Sequence, residues 1–300
     1  MKPFRRAMVA LSNTASDAEL LRYAALAART CALREVRFVH VVTEPHRPTG
    51  GVDVPRLVGQ IRDEVERHFG SLDGVSTAVH VCEGVRVDEL IEFAVSEEVD
   101  LILLGHRKLR SGRRSLARRL AMIAPCSIWL VPEGASCRIS SILAPIDFSD
   151  HSADSLELAL ELARRGGIEQ CFALHVFFDP STVRYDEHID EVRGNEERML
   201  ARFLEPIDTR GVRVEPVFEE STHVGQAILR SAGKQQADLI VMSTRGRSRA
   251  AAILLGSVTS QTIMETTVPV LAVKHFGAKL KLIRALFSKE VWQRDNPKSN

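Results

Sequence analysis

The sequence predicts an α/β fold in which one unit occurs twice, each copy a mostly parallel sheet with helices on both faces. Two observations lead there. Short apolar runs alternate with amphipathic stretches along most of the 300 residues, the order expected of strands joined by crossover helices. That order then recurs at fixed spacing: FVHVV and ALHVF stand 135 residues apart, and DLILLG and DLIVMS 138 apart. A register kept over more than 100 residues is an internal repeat.

In the first copy, MVAL (8–11) reads as a strand and 16–30 as a helix. VRFVHVV (36–42) is the second strand, followed by a helix at about 55–69. VSTAVHV (75–81), a helix at 86–97, DLILLG (100–105), a helix at 115–123 and CSIWLV (126–131) complete the unit. In the second copy, SILAPI (141–146) is a buried strand. Ser149 or Asp150 can cap a helix over 151–165, which Gly166-Gly167 ends. CFALHVFF (171–178) is a strand, 188–205 a charged amphipathic helix, and VRVEPVF (212–218) alternates as a strand does. A helix over 222–236 precedes DLIVMS (238–243), which is apolar almost throughout, as a strand buried on both faces is. A helix after Gly256 and VPVLAV (268–273) close the unit. The polar loop PEGASCR (132–138) marks the boundary, giving domains 1–135 and 136–276 and a tail, 277–300, with a helix-like apolar stripe of Leu280, Leu282, Ile283, Leu286 and Phe287. That stripe is expected to pack on protein.

Composition narrows the function classes. Forty basic and 39 acidic residues give a net charge of +1, which offers no global case for nucleic acid. No apolar run is long enough for a membrane span, and the basic N-terminus lacks a signal-peptide core. Five scattered cysteines without a CxxC pair fit a reducing cytoplasm and argue against a metal cluster.

Ligands of such folds sit at the carboxyl ends of the strands. Asp147, the end of strand 171–178 and the stretch STRGRSRAAAILLGS (243–257) all fall there. Gly246 can take a positive φ or let a ligand approach the backbone. Backbone N–H groups around Gly256-Ser257 open a helix and favour an anion. Ser257, Thr259, Arg245 and Arg247 can add donors. Spacing alone leaves a second reading open: a structural helix start with solvent-facing arginines, and Asp147 as a turn residue. Neither a GxxxxGK[ST] loop nor a GxGxxG after a first strand occurs.

The stretch resembles the nucleotide-binding signature of the universal stress protein (UspA-like) family: Gly, two residues, Gly, nine residues, Gly, then Ser or Thr. Ser243 stands at the first glycine, Gly246 at the second and Gly256 at the third, with Ser257 after it. APIDFSD (144–150), ALHVF (173–177), LLGSVT and VPVLAV extend the likeness, which covers about 5–131 and 139–274. It implies two adenine-nucleotide alpha hydrolase-like (Rossmann-like) domains, each with a five-stranded mostly parallel sheet. It implies a stress-response regulator that binds ATP in the second domain, with any Mg2+ or Mn2+ arriving on the phosphates, and that changes conformation or partner affinity. Pro145, Ile146 and Asp147 would flank the ribose or base, Val176 the adenine and Met242 the ribose. Ser243, Arg245 and Gly246 would wrap the phosphates from one side, and Gly256, Ser257, Val258 and Thr259 from the other. The expected partners are an unknown regulatory protein and a second copy in a homodimer, in the cytoplasm. The alternatives are a nucleotide-free interaction scaffold and a slow ATPase. No catalytic residue and no metal ligand is assigned.

The first copy departs from the pattern. Asn13 is read as standing in Asp147's place, Lys108 as replacing the second glycine, and Arg114-Ser115 as lying near the Gly256-Ser257 position on a shorter connection. RKLRSGRRSLARR (107–119) holds seven basic residues and no acidic one and reads as a solvated face or an anion attractor. One ATP per chain is therefore expected. His40 and His175, repeated by register, are expected to pack or to bond within the sheet. Cys82 with His80, and Glu219 with Glu220, are weaker candidates for chemistry.

Overall fold

Strands and helices alternate as the periodicity requires. The architecture comes from a computed structural model that describes residues 4–43, 52–106, 116–179, 186–246 and 255–274, the side chains of 186–190 excepted. Lys108, Arg114, Ser115, Arg247, most of the basic stretch and the tail 277–300 lie outside the described residues. Two units divide between Arg138 and Ile139.

The first unit runs β1 (Arg6–Leu11), α1 (Asp17–Cys31), β2 (Glu35–Val42), α2 (Val54–His68), β3 (Ser76–Glu83), α3 (Arg86–Ser96), β4 (Leu101–His106), α4 (Leu116–Ile123) and β5 (Ser127–Pro132). Its strands lie in the order β3-β2-β1-β4-β5, and every pair is parallel. The second unit runs β6 (Ile142–Ile146), α5 (Asp150–Gly166), β7 (Gln170–Phe177), α6 (Asp186–Leu204), β8 (Arg213–Glu220), α7 (Val224–Lys234), β9 (Leu239–Ser243), α8 (Ser257–Glu265) and β10 (Val270–Val273). Its order is β8-β7-β6-β9-β10, again parallel. Both are α/β Rossmann-like folds.

Burial explains why these strands read as unbroken apolar runs. Ala7, Met8 and Val9 are each fully buried, as are Leu239, Ile240 and Val241. Consecutive strand residues point to opposite faces, so both faces of these central strands are covered. Each such Leu, Ile or Val contributes about 1.5–3 kcal/mol by leaving water.

An acidic residue holds the amino end of each sheet. Asp100 Oδ2, just before β4, accepts the backbone N–H groups of Arg5 and Arg6 at 3.0 and 3.1 Å. Asp238, just before β9, does the same for Ser140 and Ser141 at 2.8 and 3.2 Å. The aspartate of each DLI run thus fixes the start of the neighbouring first strand. One strand is shorter than expected. VPVLAV begins its ladder only at Val270, because the Thr266 hydroxyl takes both backbone groups of Val268 into a turn.

The strand order reverses between β1 and β4 and again between β6 and β9. Such a switch point opens a crevice at the carboxyl ends of the strands. In the second unit, that crevice is bounded by Asp147 and by the stretch leaving Ser243.

Candidate functional site

Asp147 follows the last residue of β6, and Phe148 after it adopts φ 60°. The reversal lets Ser149 cap α5: its Oγ accepts the Ser152 N–H, and Ser152 Oγ accepts the N–H groups of Ser149 and Asp147. Asp147 Oδ1 accepts from the Ser149 N–H at 3.2 Å and its hydroxyl at 2.5 Å. One carboxylate oxygen therefore serves the turn. The other faces the backbone across the crevice: a Cβ added at Gly246 would lie 2.5 Å from Oδ2. Gly246 does not have a positive φ. Its need for glycine is one of space, not of conformational freedom, and the space is taken by the aspartate.

The far wall is the start of α8. Gly256 donates its N–H to the Thr244 carbonyl at 2.9 Å, and a Cβ there would meet that carbonyl at 3.3 Å. It is the N-cap, without a side chain to satisfy the next turn. The N–H groups of Ser257, Val258 and Thr259 accordingly lack partners within the helix, which carries its positive dipole end here. Thr259 is buried, and its hydroxyl donates to the Ser243 carbonyl at 2.9 Å. That hydroxyl clamps the loop to the helix and leaves the backbone N–H as this residue's donor. Ser243 turns its own hydroxyl onto the Arg245 carbonyl.

Register separates the remaining predicted residues by face. Ile146 pairs with His175 and Leu143 with Ile240, so Pro145 and Met242 share one face of the sheet and Ile146 and Ser243 the other. Met242 and Ile146 are buried, whereas Pro145, Val176, Ser257 and Arg245 keep some exposure. The sequence-predicted residues thus lie at one rim, Ile146 buried and Ser243 half-buried.

His175 is the residue that shapes this rim without having been assigned to it. Its Nδ1 lies 2.9 Å from the Ile146 carbonyl, the last of β6. Phe148 covers the ring at 4.2 Å between centroids, and Glu196 lies 3.3 Å from Nε2. His40 repeats the contact on Leu11 at 3.2 Å. Burial is the main reason His40 titrates below an ordinary histidine, and the charge of Arg86 adds to it. The repeated His-Val pair was the signal: it pins the point where the chain leaves the sheet.

These equivalent contacts correct the register of the first copy. Leu11 corresponds to Ile146, so Ser12, not Asn13, stands opposite Asp147. Asn13 instead matches Phe148, and both have positive φ, 57° and 60°. The offset of 135 between His40 and His175 gives the same answer. The carboxylate has moved five residues along: Asp17 stands where the second unit has Ser152. It is buried and accepts the N–H groups of Ser12, Asn13 and Thr14.

The other candidates are structural. Glu219 ties β8 to α7 through Ser231, Arg230 and Lys234. Burial raises its pKa, but those hydrogen bonds and charges outweigh it and hold the carboxyl below its ordinary value. Burial pushes the Cys82 thiol up and holds His80 down, the wrong directions for a thiolate–imidazolium pair. Among the described residues no cluster of metal-ligating side chains occurs, and no helix is long and apolar enough to cross a membrane.

Comparison with known proteins agrees with the repeat. The model of the universal stress protein family matches residues 3–132 and again 139–274. Universal stress protein YxiE of Bacillus subtilis is 30% identical over 148 residues, 45% of this chain and 99% of the relative. A universal stress protein of Methanocaldococcus jannaschii is 31% identical over 139 residues, 44% of this chain and 81% of its own. Two crystal structures share the fold along most of both chains. A functionally unknown protein of Pseudomonas aeruginosa has a TM-score of 0.67 at 15% identity, over 95% of this chain and 98% of its own. A universal stress protein of Archaeoglobus fulgidus has a TM-score of 0.63 at 19% identity, over 90% and 96%. The chain belongs to the universal stress protein family and carries its unit twice in tandem.

Proposed function

We propose that the protein is an ATP-binding regulator of the stress response that takes one nucleotide at the rim of its second unit. The observation that carries this reading is the approach of Gly246 to Asp147, 2.5 Å from a Cβ position to a carboxylate oxygen, opposite a helix start capped only by glycine. A carboxylate held at this rim by the Ser149 turn suits a ribose or base. Three N–H groups at a helix start suit phosphate. The donor set present fits the ligand.

In this reading Asp147 orients the ribose or base, with Pro145, Ile146, Val176 and Met242 forming its wall. Ser243, Arg245 and Gly246 follow the phosphates on one side. Gly256, Ser257, Val258 and Thr259 hold them on the other, chiefly through backbone. The nucleotide supplies charge and shape, with Mg2+ or Mn2+ carried on its phosphates, and no chain carboxylate is assigned to metal. Binding changes the conformation of the protein or its affinity for a protein partner. The domains 1–135 and 136–276, the tail 277–300, homodimer assembly and a cytoplasmic setting complete the proposal.

Calorimetric titration of the full chain with ATP and Mg2+ tests it. Saturable binding is expected, weakened about tenfold or more by Asp147→Ala, the loss of one charged hydrogen-bond partner. Well-folded protein that binds no ATP would remove the reading.

A further inference from the structure

The first unit has a cavity of its own at the matching rim, about 310 Å3, with chemistry unlike that of the second. Its walls include Val41 and Leu90, which are apolar, and Ser12, Gly105 and the buried His106. Arg86 also lines it. Helix α3 opens on Arg86 where α7 opens on Val224, so a guanidinium occupies the place of an aliphatic side chain.

Arg86 Nε is buried, and no described group accepts its hydrogen. The nearby acids are committed elsewhere. The Asp17 carboxylate takes the backbone N–H groups of the β1–α1 turn together with the Ser12 hydroxyl at 2.8 Å. Glu19 takes the Gly134 N–H at 2.8 Å. A planar guanidinium that lines a partly open cavity, its Nε–H without a described acceptor, matches an oxyanion, whose two oxygens its fork can meet together. Apolar walls next to it suit a small organic body. Asp17 and Glu19, which line the same cavity, repel a ligand with several negative charges.

We propose that this cavity is a second ligand site, in which Arg86 anchors a small organic oxyanion, a carboxylate or a phosphate monoester, rather than a nucleoside triphosphate. The site rests on residues of the first unit alone and is independent of nucleotide binding at the second rim. It gives the chain two inputs of different chemistry.

The test uses the full-length, 15N-labelled protein. Benzoate and inorganic phosphate are titrated separately, while the arginine Nε–Hε signals and the amides of Ser12, Val41 and Gly105 are followed. Saturable shifts of these signals by either anion are expected, with affinity lowered about tenfold or more by Arg86→Gln and unchanged by Gly246→Ala. Saturation by benzoate alone assigns the carboxylate source, by phosphate alone the phosphate source, and by both the shared oxyanion. Arg86→Val, which copies the second unit's residue, is the second variant and must keep the wild-type spectrum while losing the anion. Absence of saturation by both probes, full affinity in a folded Arg86 variant, or displacement of the bound anion by ATP would overturn the proposal.

Discussion

Replacing Gly246 with alanine adds one methyl group where the structure has no room for it. Its Cβ would sit 2.5 Å from Asp147 Oδ2 and 3.6 Å from Cγ. An ordinary contact needs at least 3.4 Å, so the carboxylate or the Gly246 backbone must withdraw by roughly an ångström. The carboxylate is not at liberty to do so. Its other oxygen is held at 3.2 and 2.5 Å by the N–H and hydroxyl of Ser149, the residue that caps α5. Retreat therefore strains or breaks a charge-assisted bond worth about 1.5–3 kcal/mol, in line with the usual overpacking cost of about 1–3 kcal/mol. Thermal and urea unfolding of Gly246→Ala should show a loss of about 1–3 kcal/mol, and calorimetry a fall in ATP affinity of about tenfold to a hundredfold. Gly233→Ala is the control. It lies in α7, where an added Cβ meets nothing within 4 Å, and it should stabilise by up to about 1 kcal/mol. Unchanged stability and unchanged ATP affinity in Gly246→Ala would refute the reasoning.

Two further outcomes follow from specific contacts. Thr259→Val keeps the shape but removes the hydroxyl that clamps the Ser243 carbonyl; it should cost about 1–3 kcal/mol and weaken ATP binding, and a variant as stable as wild type would show that the clamp contributes nothing. Glu161 has its pKa lowered to about 2, first by the Arg164 hydrogen bond and then by Arg165, with Arg210 also at 3.1 Å. A depressed carboxyl contributes stability above its unfolded value of 4.5 and loses it as pH falls toward 2. Because these arginines are exposed, solvent screens much of the effect. Glu161→Gln should flatten the acid limb of the stability curve in that window, and an unchanged limb would show that the cluster does not couple to folding.

Local pattern carried much of this fold. Apolar runs, glycine stops and the repeated DLI and HV pairs place each element within a few residues, because helix and strand periods are properties of short segments. What pattern could not carry was contact between distant segments. Gly246 reads as a glycine needed for a positive φ or for a ligand's approach until the fold sets Asp147 beside it. Thr259 reads as a hydroxyl donor to phosphate until that hydroxyl meets the Ser243 carbonyl, which leaves the backbone N–H for the role. Asn13 was matched to Asp147 by a shared place near a strand end, whereas the His40 and His175 contacts set the true register one residue earlier. Val268 looked like strand, and a single threonine hydroxyl outcompeted the ladder. Arg86 carried no signal in composition or spacing, since its meaning lies in the cavity it lines.

The central claim is nucleotide binding at the second rim and not at the first. Its most direct measurement is an electron-density map of the full chain crystallised with ATP and Mg2+. The account predicts adenine density beside Val176 and Asp147, phosphates at the start of α8, and no nucleotide in the first unit. Nucleotide in both units, or in the first alone, would contradict it.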